Sequence, residues 1–298
     1  MKYSFLFFCL MFIISCGTQQ KTIENSTIKT SEVTKTIIDS VTVQHDKTAK
    51  NDALNIKNNQ TITTPDSIVY NGTREFTTTF ENTHFSHTVW NELLQKYVSS
   101  EGLVNYAGLK EDRRKLQIYL YDLGDNQPTD VWTKEEKLAY WINAYNAMTI
   151  DLILDSYPAR KGIKEIRNPW KQRRWKIGDK VYNLDEIEHD ILRNMNEPRI
   201  HFAINCASFS CPPLLNEAFT ATKLETQLTT VTKKFVADTK RNTITKNQLE
   251  LSKIFKWFKK DFEKNGSLID FLNQYSSLQI DTNATISYKE YNWSLNEQ

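Results

Sequence analysis

The sequence predicts an α+β fold: a single, mainly helical domain with short strands and hairpins, carried behind a disordered N-terminal tether. Three observations lead there. After residue 85, apolar residues recur at helical spacing in several stretches. Short apolar runs flank tight-turn dipeptides between those stretches, and the strands they suggest are too few for a doubly wound sheet. All seven Trp lie at Trp90 or later, whereas between Cys16 and Phe80 the only aromatics are Tyr70 and Phe76. The 39% apolar content of the 298 residues is therefore an average over a normal domain and a thin leader.

The leader comes first. Lys2 precedes an apolar run from Tyr3 to Ile14, too short to span a bilayer and shaped like a secretion signal. The run ends in Ile13-Ile14-Ser15-Cys16-Gly17, which resembles the bacterial lipoprotein box, whose Cys is acylated and becomes the mature N-terminus. An ordinary signal peptide that contains a Cys is the alternative. Two or more acyl chains on Cys16 would commit the protein to a membrane, since a single chain holds only marginally. No acidic run follows Cys16, so the expected location is the bacterial cell envelope, lipid-anchored and facing the periplasm. Residues 17–79, rich in Thr, Ser, Asn and Lys, cannot bury enough surface to offset their ordering entropy. As a flexible coil of about 60 residues they would span roughly 40–45 Å.

The globular domain is expected over residues 80–298. Val89, Trp90, Leu93, Leu94, Tyr97 and Val98 repeat at helical spacing until Gly102 breaks the pattern, and a second helix is predicted from Asp112 to Leu123. Thr133 with Glu136 reads as a capping box for a long helix over 135–156 that stops before Pro158. Trp175–Ile177 and Lys180–Tyr182 flank Gly178-Asp179 as a hairpin. A helix is predicted over Leu184–Met195, a strand over Arg199–Asn205, and a helix over Leu224–Val236. A second hairpin around Lys246-Asn247, helices over Ser252–Phe262 and Ser267–Tyr275, and a short strand near Ile286 complete the list.

Charge and motifs exclude several functions. A net charge of +2 gives no pull toward nucleic acid, so Trp170-Lys171-Gln172-Arg173-Arg174-Trp175-Lys176 reads as a lip or exposed loop rather than a base-stacking surface. Four Cys do not make a disulfide-dense scaffold. No Gly-rich phosphate loop or Gly-x-Ser-x-Gly elbow occurs, and no cofactor is expected. No metal site is expected either: Cys206, His201, His189 and Glu188 are acceptable zinc ligands, but no local pair has a zinc spacing, and His84-Phe85-Ser86-His87 lies at the domain edge.

The polar residues set among apolar ones carry the functional expectation. On the Leu184–Met195 helix, Glu188 falls inside the stripe of Leu184, Ile187, Ile191, Leu192 and Met195, where a carboxylate is costly unless paired and its pKa rises. His189 stands at the stripe's edge, and Arg193 points the opposite way at 100° per residue. Asn143 and Asn146 share one face of the long helix, where they either tie it to neighbouring backbone or contact a ligand. The strand ending at Asn205 presents Cys206 to a loop of small residues, where a substrate could approach a nucleophilic thiol. His201 is the first-choice base, although strict alternation puts it on the face opposite Cys206, which keeps His189 as an alternative. A Cys206–Cys211 disulfide competes with a reactive Cys206.

Taken together, Tyr140-Trp141-Ile142-Asn143-Ala144-Tyr145-Asn146-Ala147, Glu188-His189, Pro198 to Cys206, Ser210-Cys211-Pro212, Trp257-Phe258 with Asp261-Phe262, and Tyr291-Asn292-Trp293-Ser294-Leu295-Asn296 resemble bacterial envelope members of the domain of unknown function 547 family, in the family's order over most of residues 85–298. The resemblance implies one α+β domain and no established reaction. It maps the family's recurring polar positions onto Asn143, Asn146, Glu188, His189, His201 and Cys206. One departure stands out: the family's last motif usually carries Asp where this chain has Asn292, so a histidine oriented by that Asp elsewhere would here meet an amide.

The resulting expectation is a cysteine-dependent hydrolase or acyl-transferase, peptidase- or amidase-like, acting on a peptide or other envelope component. Cys206 would be the nucleophile, His201 the base, and Glu188 its orienting group or a raised-pKa acid. The competing expectation is a non-catalytic envelope binding or assembly module stapled by Cys206–Cys211.

Overall fold

The computed structural model describes residues 84–159 and 161–298; the predicted lipid attachment at Cys16, the 17–79 linker and the domain's start at residue 80 lie outside them. Over the described residues the fold is α+β, as the pattern of apolar spacing and hairpins predicts. Helices α1 (Thr88–Tyr97), α2 (Tyr106–Glu111) and α3 (Arg113–Asp125) lead to the long α4 (Lys134–Ser156). The Thr133 hydroxyl accepts the Glu136 N–H while the Glu136 carboxylate accepts the Thr133 N–H, so α4 starts at the predicted capping box. Every residue from Leu138 to Leu154 is buried, the condition of a helix apolar on all sides, and α4 is accordingly the central strut of the core. α3 packs against both α1 and α4.

Next come the antiparallel hairpin of β1 (Trp175–Ile177) and β2 (Lys180–Tyr182), turned at Gly178 with φ +56°, and the short α5 (Leu184–Glu186). The remaining elements are α6 (Ile200–Ala203), α7 (Leu224–Ala237), β3 (Thr243–Ile244), β4 (Gln248–Leu251), α8 (Lys253–Trp257), α9 (Lys259–Phe262), α10 (Leu268–Asn273) and β5 (Thr285–Tyr288). β3 and β4 pair antiparallel, and β5 joins β4 in parallel. A second aromatic core forms around Phe202, whose ring centroid lies 5.1 Å from Phe235 and 5.5 Å from Phe262.

Four segments differ from expectation. The strand predicted over Arg199–Asn205 is the helix α6. Ile200, His201, Phe202 and Ala203 are all buried, and a short run buried on every side carries no periodicity that separates strand from helix. The Leu184–Met195 helix is not uniform: α5 opens into a π-helical turn over Ile187–Leu192 and tightens to a 3-10 turn over Arg193–Met195. The Ser252–Phe262 helix divides at Phe258 into α8 and α9. α2, unforeseen, is started by Asn105, whose side chain accepts the Gly108 N–H.

The C-terminal segment is fastened across the domain. Leu295 bridges Ser208, Glu297 bridges Val104, and the Phe209 N–H donates to the Ser294 carbonyl at 2.7 Å. Gly162, at φ +76°, lies so close beneath this segment that a Cβ there would overlap the Trp293 carbonyl.

Candidate functional site

α4, the 163–171 loop, the π-helical turn, α6, α8 and the C-terminal segment enclose a cleft of about 590 Å³. Glu188, His189, His201 and Cys206 all line it, together with Cys211. The structure thus gathers four of the predicted site residues around one space, although Glu188 and His201 are themselves buried.

The π-helical turn explains how two neighbours share that space. Its wider winding lets the Arg193 N–H donate to the Glu188 carbonyl, five residues back. A 100° wheel therefore misplaces Arg193, whose guanidinium reaches the His189 side instead of pointing away. Arg193 Nη1 donates to His189 Nδ1 at 2.9 Å, which leaves the His189 proton on Nε2, 3.6 Å from Asp185. Arg193 also grips Asp261 through Nε at 2.7 Å and Nη2 at 3.2 Å.

Asp261 is the orienting carboxylate for His201, a place that the sequence argument gave to Glu188. Its Oδ2 accepts from His201 Nε2 at 2.9 Å. Hydrogen bonds from His201 and Arg193 hold the Asp261 carboxyl well below the usual carboxylate range, against the opposing effect of burial. With Nε2 donating, His201 Nδ1 is the bare nitrogen, and it is buried with no hydrogen-bond partner among the described residues. Burial lowers the His201 pKa more than Asp261 raises it, so the ring is neutral. The Phe258 ring stacks on it at 3.9 Å, a contact made where α8 ends.

No hydrogen bond joins Glu188 to His201 or to Cys206 among the described residues; Glu188 Oε2 accepts from the Tyr145 hydroxyl at 3.1 Å. Burial pushes the Glu188 carboxyl above its ordinary value of 4.5, with His189, Tyr145 and Arg193 pulling back. The folded state therefore holds the Glu188 proton more tightly than the unfolded chain, and stability falls as pH rises through the folded value. Glu188→Gln is expected to raise the melting temperature by roughly 2–4 °C at neutral pH, equivalent to about 1 kcal/mol. The gain should vanish near pH 4.5 in thermal unfolding measured against pH. A variant less stable than the parent at every pH would contradict this account.

Cys206 and Cys211 are joined as a disulfide with Cα atoms 6.2 Å apart. The loop between them is held on every side. Asn205 Oδ1 accepts the Ala207 N–H at 2.7 Å, which supports Ala207 at φ +59°, a left-handed conformation costly for a residue with a Cβ. Asn205 Nδ2 donates to the Pro212 carbonyl, and Arg241 donates to the Cys211 and Phe209 carbonyls. Cys206 Sγ lies 3.0 Å from Ser208 Oγ and 3.4 Å from the Tyr291 hydroxyl. His201 sits on a helix, so strand alternation does not apply to it, and among the described residues neither of its ring nitrogens makes a hydrogen bond to Cys206.

Asn143 and Asn146 do not line the cleft. Asn143 accepts from the Phe219 N–H and donates to the Phe219 carbonyl, at 3.0 and 2.8 Å. Asn146 donates to the Ala203 carbonyl at 2.9 Å and accepts the Asn205 N–H at 2.8 Å. Both amides are spent on backbone, so Asn146 orients the strip leading to Cys206 and Asn143 secures a distant loop. Asn292 does not serve a histidine: its Oδ1 accepts the Ser294 N–H at 2.9 Å and shapes a turn.

Sequence reasoning missed Asp261, Tyr145 and the aromatic wall of Trp257, Tyr291 and Trp293. All of them stand in the motifs quoted for the family resemblance, which was the available signal. Among the described residues no helix is long and apolar enough to cross a membrane, and no group of three His, Cys, Asp or Glu is placed to hold a metal ion.

Fold and site together define an α+β domain with a buried His–Asp–Arg network beside a disulfide-walled aromatic cleft. Residues 129–236 match the model of the family described as "Protein of unknown function, DUF547". That stretch contains Tyr140–Ala147, Glu188-His189 and the two bonded cysteines, while the motifs at 257–262 and 291–296 lie beyond it. No curated protein and no solved structure matches the chain.

Proposed function

We propose that the protein is a lipid-anchored envelope protein of a bacterium whose cleft holds an envelope component, as a binding or assembly module. The Cys206–Cys211 bond in the cleft wall carries this reading. A sulfur committed to a disulfide offers no thiolate, and the compartment beyond a secretion signal is oxidising. The Lys2, apolar run and Cys16 arrangement supports the anchor. Intact-mass measurement of the purified, non-reduced protein is expected to show two hydrogens fewer than the dithiol and no uptake of an alkylating reagent at Cys206 or Cys211. Reduction should cost about 2 kcal/mol, the modest value expected for so short a loop. A freely alkylated Cys206 would remove the staple.

A second reading, a cysteine-dependent hydrolase or acyl-transferase of peptidase or amidase type, is favoured by one observation. His201 has one nitrogen fixed by Asp261 and the other bare, the arrangement a general base requires. In it, a dithiol reduces the disulfide, and the freed Cys206 side chain moves within reach of His201 Nδ1, which takes its proton. Peptide and ester libraries assayed with dithiol present would expose it, and turnover unchanged in Cys206→Ala would exclude it.

A further inference from the structure

We infer that the occupant of the cleft is a saccharide chain, recognised by stacking on the Trp257–Tyr291–Trp293 wall and by hydrogen bonds to Glu188 and Asp185. The inference rests on the reading of the cleft as a binding site and names its ligand class.

The wall is an unusual surface. Tyr291 packs against two indoles, with ring centroids 4.8 Å from Trp257 and 4.5 Å from Trp293, and the indoles themselves stack at 5.8 Å. Trp170 meets Trp293 edge-on at 6.0 Å, and Lys164 Nζ sits 3.9 Å over the Trp293 ring. These rings converge on a common cluster, yet Trp257 remains 47% exposed. A large aromatic left open beside a cleft presents a flat apolar face that is stabilised by covering it. Polar groups of the π-helical turn and its approach line the same cleft. Glu188 is buried and hydrogen-bonded by Tyr145, and Asp185 is about two-fifths exposed. Glu188 Oε2 accepts from Tyr145, and its carboxyl keeps further acceptor capacity toward a ligand hydroxyl.

An exposed indole face in a cleft that also presents carboxyl groups fits a pyranose, whose ring offers C–H groups on one face and hydroxyls around its rim. An acyl chain would leave Glu188 and Asp185 facing hydrocarbon, which is costly. A peptide could not bind here by adding to a sheet edge, since none of the residues lining this cleft belongs to a strand. The volume is within the range of about 300–1,000 Å³ usual for small-ligand sites.

The test titrates the non-reduced full chain, in detergent, with chitotetraose, cellotetraose, maltotetraose and a tetra-alanine control, followed by tryptophan fluorescence and calorimetry. Saturable binding of at least one tetrasaccharide, weakened tenfold or more in Trp257→Ala, is expected. Trp257 is half exposed, so its truncation is expected to leave the domain folded, and an unchanged melting temperature certifies that variant. Glu188→Gln, which keeps an acceptor and a donor, should weaken binding less than Glu188→Leu. Binding of the peptide with no tetrasaccharide bound overturns the saccharide inference and leaves the binding-site reading standing. Failure of all four ligands, together with thiol-dependent turnover in the reduced protein, overturns both.

Discussion

Asp261→Ala is expected to destabilise the domain by about 3–5 kcal/mol, the largest effect of any single polar substitution in the molecule. The reason is what the carboxylate leaves behind. Arg193 loses both arms of a bidentate pair, and the buried His201 loses the only hydrogen bond its ring makes among the described residues. Denaturant titration of the variant beside the parent reads the effect directly, and a loss below about 1 kcal/mol would mean that the network is ornamental to stability. The pH dependence has a definite sign. Asp261 is depressed in the folded state, so its stabilisation is present above the ordinary value of 3.8 and fades as pH falls toward the lower folded value. His201 is also depressed, so below its ordinary 6.5 the unfolded chain takes up a proton that the folded state refuses. Both therefore weaken the fold on acidification. Asp261→Ala should remove the share of the decline below pH 3.8 that Asp261 contributes, leaving the shares of Asp112 and Glu225, and Asp261→Asn should do the same at smaller cost.

Asn146→Ala comes next, at about 2–5 kcal/mol, since it orphans a buried carbonyl and a buried N–H together. Its second consequence separates it from a general loss of stability. Asn146 holds Ala203 and Asn205, and Asn205 in turn holds Ala207 and Pro212 on either side of the disulfide. The rate at which a dithiol reduces Cys206–Cys211 should therefore rise in Asn146→Ala. Asn143→Ala breaks a similar clamp at Phe219, far along the chain, and should be comparably destabilised with the reduction rate unchanged. Equal reduction rates in all three proteins would refute the link between Asn146 and the loop.

These two residues also show what was readable in advance. A capping box, a Gly-Asp turn and the amphipathic stripe of α7 are local, and each produced the element expected of it. The burial of Glu188 followed from its place on a stripe. Partners at long sequence separation were not readable. His201 and Asp261 are 60 positions apart, and no periodicity announces that α9 will lie beside α6. The π-helical turn escaped for a related reason: one inserted hydrogen-bond step shifts Arg193 round the axis while leaving the apolar spacing intact. The misread strand at 199–205 records the ambiguity of a short segment buried on every side, where only its neighbours decide the winding. For Cys206 and Cys211 the sequence offered two fates, and the geometry of the loop joins them.

The crossing of the 291–297 segment over the domain has a temporal consequence. Synthesis and export both proceed from the N-terminal side, so α4, α6 and the cysteine loop are delivered before their C-terminal fastening. Until Ser294, Leu295 and Glu297 arrive to meet Phe209, Ser208 and Val104, those segments lack the partners that close the cleft. Assembly of the cleft is thus deferred until that segment is delivered, and a polypeptide stalled short of residue 291 would carry the helices without a finished binding face.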